Sequence, residues 1–330
     1  MLSRSITLPL VAVVAFTLAG CSAAADDATP PAADPASADS PVTVDNCGFD
    51  LTVAAAPERI VTIKSTSTEM LLALGLGDRI IGTGFPDGDV PEKWSAEAAD
   101  IPLISEFAPS QEAVIALEPD FVYGGWESNF TAETAGERPV LQNLGIDTYV
   151  SPAACKEPGY QPEKLTFDEV FSEIAEAGTV FGAEAAAAEV VADQEAELAA
   201  IDADSRGLSA LWYSSGTDTP YVGAGIGAPQ MMLDALGLEN IAADVNDTWT
   251  SLSWEAIVDA DPDVIVLVDA SWNSADSKIA ALEANPATSG LSAVENGRYL
   301  RIPFAAGEAG VRNVEATADL ATQLAALSIP

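Results

Sequence analysis

Two glutamates occupy matched places in a duplicated pattern. Ser110-Gln111-Glu112-Ala113 and Ser253-Trp254-Glu255-Ala256 each open a helix-like stretch, and each stretch runs on to a Pro-Asp pair, Pro119-Asp120 and Pro262-Asp263. A serine two residues ahead of a glutamate suits a helix start, where a side-chain oxygen meets orphan amides and an anion meets the positive end of the dipole. The same carboxylates, one per half, also suit a face that meets a two-fold symmetric partner. Basic residues are scarce, which makes Lys64 and Arg312 conspicuous. Lys64 follows a short apolar run and precedes the hydroxyls Ser65-Thr66-Ser67-Thr68, a setting for an anionic group. A solvated lysine or an internal ion pair fits the same residues. Lys156 and Tyr160 are weaker candidates of the same kind.

Bulky aromatics fall just after predicted strands: Phe85, Phe107 and Trp126 in the first half, and Tyr213, Tyr221, Trp249, Trp272 and Phe304 in the second. Loops beyond the carboxyl ends of strands are where open α/β sheets bind ligands. An aromatic-lined cleft there suits a large, flat or macrocyclic solute, while loop packing or core filling is the bland explanation for any one of them. Gly223-Ala224-Gly225-Ile226-Gly227 has the look of a dinucleotide loop without its GxGxxG spacing, and reads as a close-approach turn.

The elements that must position these residues alternate. Arg59–Ile63, Ile80–Thr83, Ile101–Ile104, Phe121–Tyr123 and Thr148–Val150 read as strands, with helices over Glu69–Leu74, Ser110–Leu117, Glu137–Leu144 and Phe167–Ala177. A second set follows: strands Ala210–Tyr213, Asp263–Asp269 and Arg298–Ile302, with helices over Pro229–Leu236, Glu255–Asp259, Lys278–Asn285 and Val314–Leu327. Such alternation predicts mostly parallel sheets flanked by helices. Between the sets, Ala183–Ala200 holds only helix formers and would run about five turns, or roughly 27 Å. The expected architecture is therefore α/β, with two Rossmann-like lobes joined by one long helix: residues 43–178, 179–203 and 204–330.

The chain has 330 residues, 13 basic against 51 acidic, a net charge of −38 and no histidine. That charge disfavours nucleic acid as a partner and keeps an exported protein soluble. Without imidazole there is no Ser–His or Cys–His nucleophile and no usual zinc site, so no cofactor and no metal centre are expected. An enzyme built on carboxylates alone remains the alternative class. Residues 1–21 have a positive start at Arg4, a short apolar run and the ending Leu18-Ala19-Gly20-Cys21, which resembles a bacterial lipobox. The resemblance implies cleavage before Cys21 and lipidation of its thiol. Residues 22–42 are Ala, Asp, Pro and Ser, the composition of a disordered tether. Cys47 and Cys155 remain, as one disulfide or as two separate buried thiols.

The whole set resembles the substrate-binding lipoproteins of ABC importers for iron complexes and cobalamin. The carriers are Pro57–Thr62, Thr68–Gly75, Glu112–Asp120, the central helix and Glu255–Asp263. The resemblance implies a class III periplasmic-binding-protein fold, a non-enzymatic solute receptor, and a monomer held by lipid at the outer face of the cytoplasmic membrane. It also implies a permease dimer with ATPase subunits as partner, met by Glu112 and Glu255. The ligand set is then Lys64, Phe85, Phe107, Trp126, Tyr213, Tyr221, Trp249, Trp272, Phe304 and Arg312. The solute is a siderophore, a cobalamin-like chelate carrying iron or cobalt, or a related flat anionic cofactor. The stretch Trp212–Gln230 is similar to an actinobacterial subgroup assigned to a deazaflavin coenzyme precursor.

Overall fold

The computed structural model describes residues 41–329. The signal segment, Cys21 and the tether as far as residue 40 lie outside the described residues.

The described chain opens with a hairpin, β1 (Val42–Asn46) and β2 (Phe49–Val53), paired antiparallel across a turn at Cys47 and Gly48. The first sheet follows in a strict strand–helix sequence: β3 (Ile60–Ile63), α1 (Ser65–Ala73), β4 (Ile80–Gly84), α2 (Ser95–Ala98), β5 (Leu103–Ser105), α3 (Gln111–Ile115), β6 (Phe121–Gly124), α4 (Arg138–Asn143) and β7 (Asp147–Val150). The strands are parallel in the order β5-β4-β3-β6-β7. The order reverses at β3, and the crevice beside a reversal is where ligands meet such sheets. Lys64 directly follows β3 and Trp126 follows β6, so both stand at that point. Every residue of β3 and β6 is buried, as parallel strands covered on both faces should be.

α5 (Phe167–Phe181) and α6 (Glu184–Leu198) link the halves. The helix expected over 183–200 is α6, and the one expected over 167–177 is α5, which runs on to Phe181 before Gly182 ends it in the left-handed region (φ 67°). Gly178, which reads as a breaker, is inside α5. A Cβ there would sit 2.4 Å from that of Ala187, so the glycine lets α5 and α6 touch.

The second half comprises β8 (Ser209–Ser215), β9 (Tyr221–Gly223), α7 (Ala228–Leu236), β10 (Glu239–Asn240), β11 (Trp249–Ser251), α8 (Trp254–Ala260), β12 (Val264–Asp269), α9 (Ala275–Ala284), α10 (Ser292–Glu295), β13 (Tyr299–Pro303) and α11 (Asn313–Ala326). Its sheet is mixed. β10, β8, β12 and β13 pair in parallel, while β9 and β11 extend the sheet antiparallel. One apolar core lies beneath both sheets around α5, α7 and α11, and a second layer covers the far face of each. Cys47 and Cys155 are bonded, with Cα atoms 5.3 Å apart, and staple the hairpin turn to the segment after β7.

Candidate functional site

The two sheets present their loop ends to one another around a cavity of about 360 Å³. From the first half come Thr66, Trp126 and Glu127. From the second come Tyr221, Asp247, Trp249 and Glu308, and the linking segment adds Lys156 and Leu165. The wall is close-fitting by construction. At Gly125 a Cβ would meet Thr66 Oγ1 at 2.5 Å and Lys64 Cβ at 2.8 Å. The glycines of 223–227 are close-approach positions, as their spacing implied: a Cβ would meet Pro229 at 2.4 Å from Gly223 and the Ala243 carbonyl oxygen at 2.1 Å from Gly225.

Of the aromatic residues expected to face a ligand, three line this cavity. Trp126 forms the first-half wall. Tyr221 and Trp249, on neighbouring strands, stack with centroids 5.9 Å apart and planes 15° from parallel. Tyr213 does not face the cavity. It is buried in the far layer of the second sheet, edge-on to Trp254, with its hydroxyl donating to the Gly216 carbonyl at 2.7 Å. Strand alternation explains this, since Tyr213 lies on the opposite face of β8 from Trp212. Phe85 and Phe304 lie behind Trp126, around Lys64, outside the cavity lining. Phe107 packs on Phe85 and Trp272 on Phe304, and both are largely exposed, at 73% and 62%.

The two basic residues are also elsewhere. Lys64 is buried and pairs with Asp87, whose other oxygen accepts from the Ser65 amide at 3.2 Å. Its ammonium lies 3.6, 4.4 and 5.0 Å from the ring centroids of Trp126, Phe85 and Phe304. Burial pushes the lysine down and the aspartate up, while each holds the other charged. Lys64 also has φ 86°, outside the usual range of an L-residue, and α1 starts directly after it instead of at Glu69. The hydroxyl run is therefore helical. Ser67 Oγ donates back to the Ile63 and Lys64 carbonyls at 2.8 and 2.9 Å and Thr68 Oγ1 to the Lys64 carbonyl at 3.2 Å, so these two hydroxyls are satisfied by the start of the helix, while Ser65 Oγ accepts from the Asp87 amide at 2.9 Å. Arg312 precedes α11 and pairs with the buried Glu69 at 3.2 Å, also away from the cavity. Neither cation lines the cavity, and both are engaged in internal ion pairs, the alternative that the sequence also allowed.

Residues unremarked in the sequence carry the cavity's charge. Glu127, Asp247 and Glu308 line it, against one basic lining residue, Lys156, among the described residues. That lysine donates to Thr248 Oγ1 at 3.0 Å and lies 3.8 Å from Asp247. Glu308 Oε2 accepts from Trp126 Nε1 at 2.8 Å, and burial raises its pKa against the pull of Lys64 and that hydrogen bond. Tyr160, the other weak candidate, bonds Asp45 at 2.6 Å and borders a separate cavity. Glu112 and Glu255 lie in the first turns of α3 and α8, both exposed. Ser110 and Ser253 accept from the amides of Ala113 and Ala256 at 3.3 and 3.1 Å, so the capping chemistry is present in both halves.

Two sheets whose loop ends converge on one aromatic-lined cavity make a site for a small solute. The family model described as "Periplasmic binding protein" matches residues 60–306, and the chain belongs to that family. It is 27% identical to the ABC transporter substrate-binding lipoprotein YvrC of Bacillus subtilis, over 94% of each chain. It is 32% identical to a cobalamin-binding protein of Halobacterium salinarum, over 80% of this chain and 68% of that one. Among solved structures, the Fe3+-hydroxamate transport protein of Saccharomonospora viridis superposes with a TM-score of 0.75 at 27% identity, covering 87% of this chain and 99% of the other. The protein is thus a solute receptor of the ABC-importer kind, and the family implies a permease with its ATPase and a small-molecule ligand. Among the described residues no helix is long and apolar enough to cross a membrane.

Proposed function

We propose that the protein captures a large metal chelate of corrinoid type, neutral or cationic and rich in amides, and passes it unchanged to an importer. The observation that carries this is the cavity's chemistry: aromatic walls with three carboxylates, Glu127, Asp247 and Glu308, and one lysine already engaged. Carboxylates accept hydrogen bonds from amide side chains and attract a cationic centre, whereas a macrocycle bearing acidic groups would meet repulsion. The relative that binds cobalamin supports the same class. A ferric hydroxamate is the second reading, favoured by the likeness to the hydroxamate transport protein. A volume of about 360 Å³ is at the lower end for small-molecule sites, so a macrocycle requires the lobes to part further than they stand here.

In this reading the protein is a receptor and not an enzyme, monomeric, tethered through a lipid on Cys21 to the outer face of the cytoplasmic membrane. Glu112 and Glu255, one exposed carboxylate per lobe, dock on basic residues of the permease dimer. The test is calorimetric titration of the purified mature protein with cyanocobalamin, a ferric trihydroxamate and haemin. Cyanocobalamin is expected to bind at least about tenfold more tightly than haemin, one tenfold step being 1.4 kcal/mol. Tighter binding of haemin, or turnover of any of the three, overturns the proposal.

A further inference from the structure

Lys64 is placed at the switch point of the first sheet, yet it contributes no surface to the cavity. What it touches instead is the cavity's wall. Its ammonium stands 3.6 Å from the Trp126 ring centroid, near the lower limit for a cation over an aromatic face. The backbone is shaped to put it there. Lys64 has φ 86°, its amide donates to the Gly84 carbonyl at 2.9 Å, and only a glycine at 125 leaves room for its stem. Asp87 pairs with the same ammonium, while Glu308 accepts from the indole nitrogen.

The cage around this ammonium is built from both lobes. Asp87, Phe85 and Trp126 belong to the first sheet's loops. Phe304, at 5.0 Å, and Glu308, which takes the Trp126 N–H at 2.8 Å, belong to the segment after β13 of the second. The indole is therefore held on its face from one lobe and at its nitrogen from the other. Parting the lobes removes Phe304 and Glu308 together and leaves Trp126 with half of its restraints.

We propose that Lys64 is a positioning residue, fixing the Trp126 indole for the ligand and making that wall rigid only when the second lobe has closed on it. This rests on the cavity being the ligand site, but its readout needs no ligand. The experiment compares near-ultraviolet circular dichroism and tryptophan emission of the ligand-free mature protein for wild type, Lys64→Met, Lys64→Arg, Trp126→Phe and the double variant Lys64→Met/Trp126→Phe. Lys64→Met is expected to cut the Trp126 contribution to the indole band about twofold or more, with no further change in the Trp126→Phe background, while Lys64→Arg keeps most of it because a guanidinium also stacks on indole. An unchanged Trp126 band in Lys64→Met, or a loss of equal size without Trp126, overturns the proposal. Should Lys64→Met fail to fold by far-ultraviolet dichroism, Phe304→Leu carries the test, since it leaves the Lys64–Asp87 pair intact. It is expected to weaken the same Trp126-dependent band, and an unaltered band overturns the coupling to closure. A wild type that ignores cyanocobalamin sinks the ligand reading and leaves this result standing.

Discussion

Arg312 and Glu69 are 243 residues apart and meet at 3.2 Å, with Glu69 buried in α1 and Arg312 at the threshold of α11. The pair joins the two halves of the chain beside a second bridge, Lys93 to Glu315 at 2.6 Å, which is exposed and of little weight. Burial pushes Glu69 up to about 7, with Arg312 pulling the other way and too weak to cancel it. A carboxylate raised in the folded state binds its proton more tightly there than in the unfolded chain. Its contribution therefore favours folding at low pH and is lost as pH rises from about 4.5 to about 7. The shift corresponds to at most about 3 kcal/mol at 1.36 kcal/mol per pKa unit. Urea titrations of wild type and Glu69→Gln at pH 5 and pH 7.5 check this. The wild type is expected to lose stability between the two relative to the glutamine variant, and parallel curves contradict it.

Arg138 holds the opening hairpin to the first sheet. It is buried, and its guanidinium donates to the Asn46 carbonyl at 2.7 Å, Asn46 Oδ1 at 2.8 Å, Thr148 Oγ1 at 3.0 Å and the Thr148 carbonyl at 3.0 Å. No carboxylate pairs with it among the described residues, and burial lowers its pKa to about 10. The fork geometry is what satisfies four acceptors at once, and a lysine cannot reproduce it. Arg138→Met leaves those acceptors buried and unmet, at a cost of about 3 kcal/mol. Arg138→Lys is expected to fall between the two in urea midpoint. Equal stability of all three proteins contradicts this account.

The Cys47–Cys155 bond spans 108 residues and secures the same hairpin. Closing so long a loop removes about 5 kcal/mol of unfolded-state entropy on the chain-entropy account. Cys47→Ala/Cys155→Ala is expected to lower the urea midpoint by a corresponding amount, and because Ala154 and Lys156 on either side of Cys155 line the cavity, ligand affinity is expected to weaken with it. An unchanged urea midpoint contradicts this account.

Much of this fold was legible in the sequence because its punctuation is local. Ser110, Ser253 and Thr166 cap helices with their own side chains, and Gly182 and Gly237 end helices in the left-handed region. Trp126 lines the cavity just after β6, a strand the sequence showed, whereas Tyr221 and Trp249 line it as the first residues of β9 and β11, strands it did not show. What was not legible depended on partners far along the chain. Lys64 and Arg312 looked free because Asp87 and Glu69 bear no mark among 51 acidic residues. Glu308 and Asp247 lie in loops with no periodicity to read. β9 and β11 are three residues each, too short to show alternation, and so the mixed character of the second sheet was hidden. Tyr213 was misplaced because a strand of seven residues carries two faces, and its position did not say which was the ligand's.

The Tyr221–Trp249 stack gives the aromatic wall its sharpest test. If it packs against the chelate's ring, Trp249→Ala is expected to weaken cyanocobalamin binding by about 2 kcal/mol, on the order of thirtyfold, as loss of an aromatic anchor does. Tyr221→Phe keeps the stack and is expected to bind nearly as wild type. Trp272→Ala, which removes an exposed indole outside the cavity lining, serves as the contrast and is expected to leave calorimetric affinity unchanged. A larger loss from Trp272→Ala than from Trp249→Ala transfers the ligand to the outer aromatic pair with Phe304.

The docking role proposed for Glu112 and Glu255 allows binding to be tested apart from delivery. Each is exposed, in the first turn of a helix capped by a serine, and neither lines the interlobe cavity. The serine cap and the helix's positive end favour a carboxylate there by only about 0.5 kcal/mol, so replacing it perturbs folding little. Charge reversal acts much more strongly on a partner that presents arginines, because it turns attraction into repulsion at contact distance. Glu112→Arg/Glu255→Arg is therefore expected to abolish uptake of labelled solute by cells carrying the cognate importer while leaving solute affinity within about twofold of wild type. Each single variant should fall between, since one lobe still docks. Added salt should weaken wild-type docking to the permease in nanodiscs, as exposed ion pairs are screened within about 10 Å at 0.1 M. Loss of solute affinity in the double variant places these carboxylates in the binding machinery and removes them from the docking face.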